Sequence, residues 1–75
     1  MNNERRKYLK HAIALLADAL EEIDYVRNEE EAAFDSMPEG LQLSERGELI
    51  EQNVDTLNDK FSELEDIIQE LEELL

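Results

Sequence analysis

Apolar residues recur with the period of a helix through both halves of the chain. In the second half they alternate steps of four and three residues, which keeps one side of a helix apolar. These residues are Ile50, Val54, Leu57, Phe61, Leu64, Ile68, Leu71 and Leu75. No glycine or proline follows Gly47. The pattern predicts a helix from about residue 45 to about residue 74, with Ser44 as its N-cap.

The first half carries the same spacing on a broader apolar face. Its main track is Leu9, Ile13, Leu16, Leu20 and Ile23. A parallel track is Ala12, Ala19, Val26 and Ala33. A face of this width is typical of a helix in a bundle rather than in a two-stranded coil. We predict a helix from about residue 3 to about residue 34, capped by Asn2 or Asn3.

The connector between the predicted helices, about residues 35–44, carries turn and cap residues. Ser36 and Glu39 have the spacing of a capping box, and Pro38 suits the first turn of a helix. We expect one short helical turn near residues 37–42. We also expect four apolar side chains at this point to close the end of the core. They are Phe34, Met37, Leu41 and Leu43.

Two helices of similar length joined by a short connector predict an all-α, single-domain antiparallel hairpin over residues 1–75. A connector centred on the chain would place residue i of the first helix near about residue 79−i of the second. A hairpin alone cannot cover both apolar faces. The predicted fold is therefore a homodimeric four-helix bundle. The alternatives are a higher oligomer and a monomer bound to a partner helix.

Composition narrows the possible functions. The 75 residues include no cysteine, 21 acidic and 7 basic residues, which gives a net charge of −14. Without cysteine there is no disulfide, thiolate metal site or thiol nucleophile. The negative charge disfavours direct binding to nucleic acid and to anionic membranes. With no membrane span or signal peptide recognisable, we expect a cytoplasmic protein.

Catalytic and metal-binding patterns are not recognisable in the sequence. His11 is the only histidine, and it lies beside Lys10 without a serine or cysteine nucleophile nearby in sequence. The carboxylates around the connector do not have the spacing of a calcium loop, and there is no Glu-x-x-His pair. We therefore expect no enzymatic activity, no cofactor and no metal site.

Acidic residues recur every three or four positions along the second helix and share one of its faces. The candidate partner-binding part, here called the acidic stripe, is Glu48, Glu51, Asp55, Asp59 and Glu63. Its axial spacing of about 5 Å per carboxylate resembles the phosphate spacing of one nucleic-acid strand, so mimicry of DNA is one interpretation. An ordinary solvated helix face is the simpler one.

Four of the seven basic residues lie near the start of the chain. They are Arg5, Arg6, Lys7 and Lys10. The predicted register pairs them with acidic residues near the end of the second helix. Those acids are Glu63, Glu65, Asp66, Glu70, Glu72 and Glu73. The alternative interpretation is an arm that binds phosphate.

Arg27 and Glu30 stand where the track of the first helix would continue with apolar residues. The residues predicted to face Arg27 are Glu48, Glu51, Gln52 and Asp55. We favour a half-buried ion pair that sets register and oligomeric state. The alternative is a polar cavity for a ligand. Arg27, Ser44 and Arg46 are the candidate anion or ligand site, because a helix N-terminus with a hydroxyl and a guanidinium can hold a phosphate.

The segment Phe34–Glu48, FDSMPEGLQLSERGE, resembles the central segment of small acidic helical proteins encoded by phages and mobile elements of Gram-positive bacteria. In those proteins a phrase of the form F-D-x-x-P-E-x-L-Q-x-S-E-R-G-E joins two Glu-rich helices. Gly40 stands here where the phrase has a serine. The resemblance implies a phage or mobile-element setting, and hence the cytoplasm of a host cell. Short acidic proteins in that setting often act against host defences.

Three hypotheses for function follow. The first is a non-enzymatic interaction protein, a phage-type accessory or counter-defence protein whose acidic stripe binds a basic surface of a host macromolecule. The second is a sponge that sequesters a phosphorylated signalling nucleotide near Arg27, Ser44 and Arg46 at an oligomer interface. The third is a purely structural oligomerisation module.

Overall fold

The computed structural model describes all 75 residues and contains three helices. They are α1 (Asn3–Asp35), α2 (Glu39–Gln42) and α3 (Glu45–Glu72). The prediction placed the end of α1 one residue earlier and the end of α3 two residues later. There is no strand, and the all-α prediction is confirmed.

Helices α1 and α3 pack side by side in opposite directions. Arg27 contacts Asn58 and Phe61, while Glu30, farther along α1, contacts Asn53, which comes earlier on α3. The molecule measures 58 × 15 × 12 Å along its principal axes. The helical-hairpin part of the fold prediction is therefore confirmed.

The two helices meet along a line of half-buried residues, here called the seam. On α1 the seam is Leu9, Ile13, Leu16, Leu20, Ile23, Arg27, Glu30 and Phe34. On α3 it is Gly47, Ile50, Val54, Leu57, Phe61, Leu64, Ile68 and Leu71. Only Ile13 and Gly47 are buried, and Ile13 keeps 9% of its surface exposed. Each helix therefore shields the other incompletely, and much apolar surface that burial would stabilise stays in water.

The register of the hairpin differs from the predicted one. Residues in contact across the helices have numbers that add to between 83 and 88, against about 79 expected from a centred connector. The predicted register is therefore wrong by about one heptad. A shift of seven residues keeps every apolar position of a heptad pattern in the seam, so the pattern alone cannot distinguish the two registers.

The packing of α2 at the tip accounts for the shift. At Gly47, in the first turn of α3, a Cβ atom would lie 2.6 Å from the carbonyl oxygen of Leu41 and would overlap the carbonyl group of Gln42. Glycine therefore allows the backbone of α2 to lie directly against α3. The connector continues past the end of α1 before the chain turns back, so α3 begins beyond the level at which α1 ends.

At the other end of the hairpin, α1 extends past α3. In the observed register the last residue, Leu75, lies at the level of about residues 8–13 of α1. The segment Asn3–Lys7, here called the overhang, therefore has no α3 residue beside it. Asn2 caps the overhang, because its Oδ1 accepts a hydrogen bond from the backbone N–H of Arg5 at 2.8 Å.

Hydrogen bonds between side chains and backbone hold the tip. Ser44 is the N-cap of α3 as predicted, and its hydroxyl accepts a hydrogen bond from the backbone N–H of Gly47 at 3.3 Å. Nε2 of Gln42 donates to the carbonyl oxygens of Phe34 and Met37, at 3.1 and 3.3 Å. This side chain ties α2 to the end of α1.

The predicted capping box of Ser36 and Glu39 is wrong. The hydroxyl of Ser36 donates to the carbonyl oxygen of Ala32 at 2.7 Å, so Ser36 ends α1 instead of beginning α2. The N-cap of α2 is Pro38, which offers no side-chain hydrogen bond. The expected helical turn is nevertheless present as α2.

The expected apolar closure of the tip is only half present. Phe34 and Met37 are half-buried. Leu41 is exposed, and Leu43 is 82% exposed. For these two leucines the prediction is wrong within one hairpin, because α2 turns them away from the seam when its backbone packs against Gly47.

Candidate functional site

Four residues of the acidic stripe lie on the face of α3 that points away from α1, and Glu51 lies beside the seam. All five of its residues are exposed. Glu63 has an ion-pair partner, since Nζ of Lys60 lies 3.1 Å from its Oε2. The other four carboxylates form no ion pair within the chain. The stripe is therefore a row of charge that the protein itself leaves almost uncompensated.

Arg27 occupies the middle of the seam. Its Cζ lies 3.6 Å from the centroid of the Phe61 ring, a cation–π contact. Its Nη2 lies 2.8 Å from Oδ1 of Asp24, one turn earlier on the same helix, and its Nη1 donates to Oδ1 of Asn58 at 3.4 Å. With a side chain 25% exposed, Arg27 is half-buried and ion-paired, but to a residue of its own helix.

The residues expected to face Arg27 do not do so. The wrongly assigned set is Glu48, Glu51, Gln52 and Asp55. The shift in register moves them about two turns toward the tip and brings an aromatic ring and an amide to Arg27 instead. One turn away, Nδ2 of Asn53 donates to Oε2 of Glu30 at 3.0 Å. Sequence reasoning missed both asparagines, and the only signal was that polar residues interrupt the α1 track.

Ser44 and Arg46 come together at the tip. They line one cavity with Ala33, Met37, Leu41 and Ile50. The Ser44 hydroxyl is already engaged, because it donates to the carbonyl oxygen of Leu41 and accepts from the N–H of Gly47.

Arg27 lies apart from these two residues within one chain. Its neighbour Asn58 is fourteen residues along α3 from Ser44, which corresponds to about 21 Å at ~1.5 Å per residue. The three residues of the predicted anion or ligand site, Arg27, Ser44 and Arg46, therefore do not form one site within a single chain.

The basic residues at the start of the chain form no ion pair. Nη1 of Arg6 donates to Oδ1 of Asn3 at 3.3 Å, within the same helix. The predicted pairs of Arg5, Arg6, Lys7 and Lys10 with α3 are wrong, since none of the four lies within ion-pair distance of an acid. The observed register carries the first three beyond the end of α3. The acids left without these partners are Glu63, Glu65, Asp66, Glu70, Glu72 and Glu73. The hairpin thus has a cationic end at the overhang.

The rest of the surface offers few groups of side chains that could bind a metal ion or a ligand. No three histidine or carboxylate side chains lie close enough together to hold one metal ion. His11 lines a surface depression with Glu4, Lys7 and Tyr8 beside the overhang. Neither long helix is apolar enough over its length to cross a membrane.

Comparisons of the chain with protein-family models, with curated proteins and with solved structures find no match. The resemblance of Phe34–Glu48 to phage-encoded proteins therefore stays a prediction. The geometry of the hairpin carries the functional interpretation.

Proposed function

We propose that this chain is a non-enzymatic interaction protein that binds a basic surface of a host macromolecule through the acidic stripe. In this proposal it serves a phage or mobile element as an accessory or counter-defence protein. The observation that carries the proposal is the row of exposed carboxylates on α3, of which only Glu63 is ion-paired within the chain. A helix holds such charges at fixed spacing, so a complementary partner can bind with little reordering.

The cost of the stripe to the helix supports a binding role. Glu51, Asp55, Asp59 and Glu63 follow one another at intervals of four residues. Like charges at this interval oppose each other by about 0.2–0.5 kcal/mol per pair. A face that served solubility alone would be more stable with alternating acidic and basic residues. The unbroken acidic run is what a basic partner would require.

We also propose that two hairpins associate into a homodimeric four-helix bundle. Within one hairpin Ile13 is the only buried apolar side chain, which leaves little hydrophobic stabilisation for a chain of this size. Association of two apolar faces would bury this surface. Glu48, Asp55 and Asp59 of the acidic stripe point away from the seam and stay accessible in such a bundle.

Charge reversal tests the binding proposal. The variant Glu51→Lys/Asp55→Lys/Asp59→Lys should lose capture of a basic partner from the lysate of a Gram-positive host. The matched control Asp18→Lys/Glu21→Lys/Glu31→Lys changes the same charge on exposed positions of α1 and should retain it. Circular dichroism should show the helix content of the unmodified protein in both. Equal capture by both variants, or equal loss, would remove the stripe from the mechanism.

The oligomeric state and the ligand binding of the purified, unmodified protein distinguish the alternative functions. A stable oligomer that captures no macromolecule would favour the structural module. Calorimetric binding of a phosphorylated nucleotide, lost on replacement of Arg46, would favour the sponge.

A further inference from the structure

One flank of the seam differs from the other in charge. On each helix the residues of this flank are spaced seven apart. Each immediately precedes a residue of the seam, except Arg5 and Leu74, which continue the spacing toward the two chain termini. Because α1 and α3 run in opposite directions, these flanks lie on the same side of the hairpin. Ala33 of α1 and Arg46 of α3, which both belong to this flank, line a single cavity. The residues are Arg5, Ala12, Ala19, Val26, Ala33, Arg46, Asn53, Lys60, Ile67 and Leu74. We call them the acid-free track.

None of these ten residues is acidic, although 21 of the 75 residues of the chain are. The flank on the opposite side of the seam contains five acids in eight positions. Its residues are Lys10, Ala17, Asp24, Glu31, Glu51, Asn58, Glu65 and Glu72. The carboxylates that dominate the rest of the surface are therefore absent from the positions that directly flank the seam on one side.

Exposed apolar side chains collect on the same side. Six large ones lie within α1 and α3. Five of them belong to the acid-free track or to its outer edge, which consists of the residues three positions after each track residue. The five, which are 48–69% exposed, are Tyr8, Leu15, Val26, Leu49 and Ile67. Only Tyr25 lies elsewhere. The outer edge also carries acids, which suit the wet rim of an interface. They are Glu22, Glu29, Glu63 and Glu70.

We infer that a second copy of this chain covers the acid-free track, an assignment that rests on the proposed homodimer and specifies its interface. Two chains that each carry −14 repel one another wherever their carboxylates face each other. The acid-free track is the long surface on which two copies can approach without that repulsion. The side of the hairpin that carries the track has an outline of 58 by 15 Å, or about 870 Å², which leaves room for the about 800 Å² per partner of a stable interface.

The charges at the two ends specify the orientation of the copies. The overhang carries Arg5, Arg6 and Lys7 without ion pairs, and the tip carries unpaired acids. The acids are Glu31, Asp35, Glu39 and Glu45. A two-fold axis perpendicular to the long axis places each overhang beside the acidic tip of the other copy. A parallel arrangement would bring the two cationic ends together. The dimer is therefore antiparallel.

Sedimentation equilibrium of neighbouring substitutions tests the interface. The unmodified chain should show twice its 8.8 kDa mass. Ala12→Glu places a carboxylate in the acid-free track twice, once from each copy, and should weaken association by about 100-fold or more. Ala14→Glu adds the same charge on an exposed position away from the track and should leave the dimer intact. Ile67→Glu and Gln69→Glu repeat the comparison on α3, in case one substitution disturbs folding.

Each result of this experiment decides the proposal. A single-chain mass for the unmodified protein, a dimer that tolerates both Ala12→Glu and Ile67→Glu, or equal loss with Ala14→Glu would overturn it. The mass does not depend on a host macromolecule. An unmodified protein that forms the dimer but captures no basic partner would therefore count against the acidic stripe alone.

Labels at the two ends test the orientation. The chain has no cysteine, so Glu4→Cys and Gly40→Cys each provide one labelling site. No atom lies within 4 Å of a Cβ placed at Gly40. A donor at position 4 of one copy should transfer energy efficiently to an acceptor at position 40 of the other. Efficient transfer between two position-4 labels, with none between positions 4 and 40, would overturn the antiparallel arrangement.

Discussion

The two ends of the hairpin are held together in different ways. At the tip, Gln42 bonds the end of α1, Ser44 caps α3, and Gly47 lets the backbone of α2 lie against α3. At the open end, α1 continues past α3, and apolar side chains around Ile13 join the helices. The difference shows that close backbone packing and hydrogen bonds set the register at one end. Apolar contact alone stabilises the other, where a partner can add to it.

The largest effect is expected from filling the space at Gly47. Gly47→Ala places a methyl group within overlap distance of the α2 carbonyls, and should lower the free energy of unfolding by about 3 kcal/mol. Gly40→Ala is the control, since nothing lies near its Cβ and its φ is not positive. It should raise the free energy of unfolding by about 0.5 kcal/mol. Urea unfolding at one fixed protein concentration measures both, and equal effects would contradict the close packing of the tip.

A smaller loss is expected at the open end from its one buried apolar residue. Ile13→Ala should lower the free energy of unfolding by about 2 kcal/mol, because it removes side-chain contacts and leaves a space in the seam. Tyr25→Ala truncates a larger side chain that is 67% exposed and belongs neither to the seam nor to the acid-free track. It should change the same quantity by less than about 0.5 kcal/mol. Comparable losses would mean that the seam does not stabilise this end.

The smallest effects distinguish two N-caps of the same kind. Ser44→Ala removes the cap of α3 at the tip and should cost about 1 kcal/mol of unfolding free energy. Asn2→Ala removes the cap of the overhang, which can fray without opening the seam. It should therefore cost only a few tenths of a kcal/mol. Both are measured in the Ala12→Glu background, where single hairpins are expected. A cost for Asn2→Ala as large as that for Ser44→Ala would show that the overhang folds with the rest.

The sequence was sufficient to predict the elements of this fold and the N-cap of α3, and it narrowed the N-cap of α1 to two asparagines, of which Asn2 is the cap. The alternating steps of four and three residues specify which side of each helix is buried, and a serine before a Glu-rich first turn identifies the start of α3. The same pattern could not specify the register, because a shift of one heptad leaves all apolar positions matched. The choice between registers depends on the fit of α2 against Gly47, a three-dimensional contact.

The candidate sites also divide into features that the hydrophobic pattern determines and features that the register determines. The acidic stripe could be predicted, because residues opposite an apolar face are exposed whatever the register. The partners of Arg27 could not, since Asn58 and Phe61 come opposite it only in the observed register. The predicted ion pairs of the basic residues failed for the same reason. In the observed register Arg5, Arg6 and Lys7 lie beyond the end of α3, and they form a cationic end without ion pairs inside the chain.

Hydrogen exchange at two protein concentrations tests most directly whether a second copy completes the open end. The amides of residues 7–10, which depend on the overhang, should exchange quickly where the mass is that of one chain and slowly where it is that of two. The amides around Gly47 should be protected at both concentrations, because the tip is complete within one hairpin. Protection of residues 7–10 that is the same at both concentrations, although the mass doubles between them, would contradict the account.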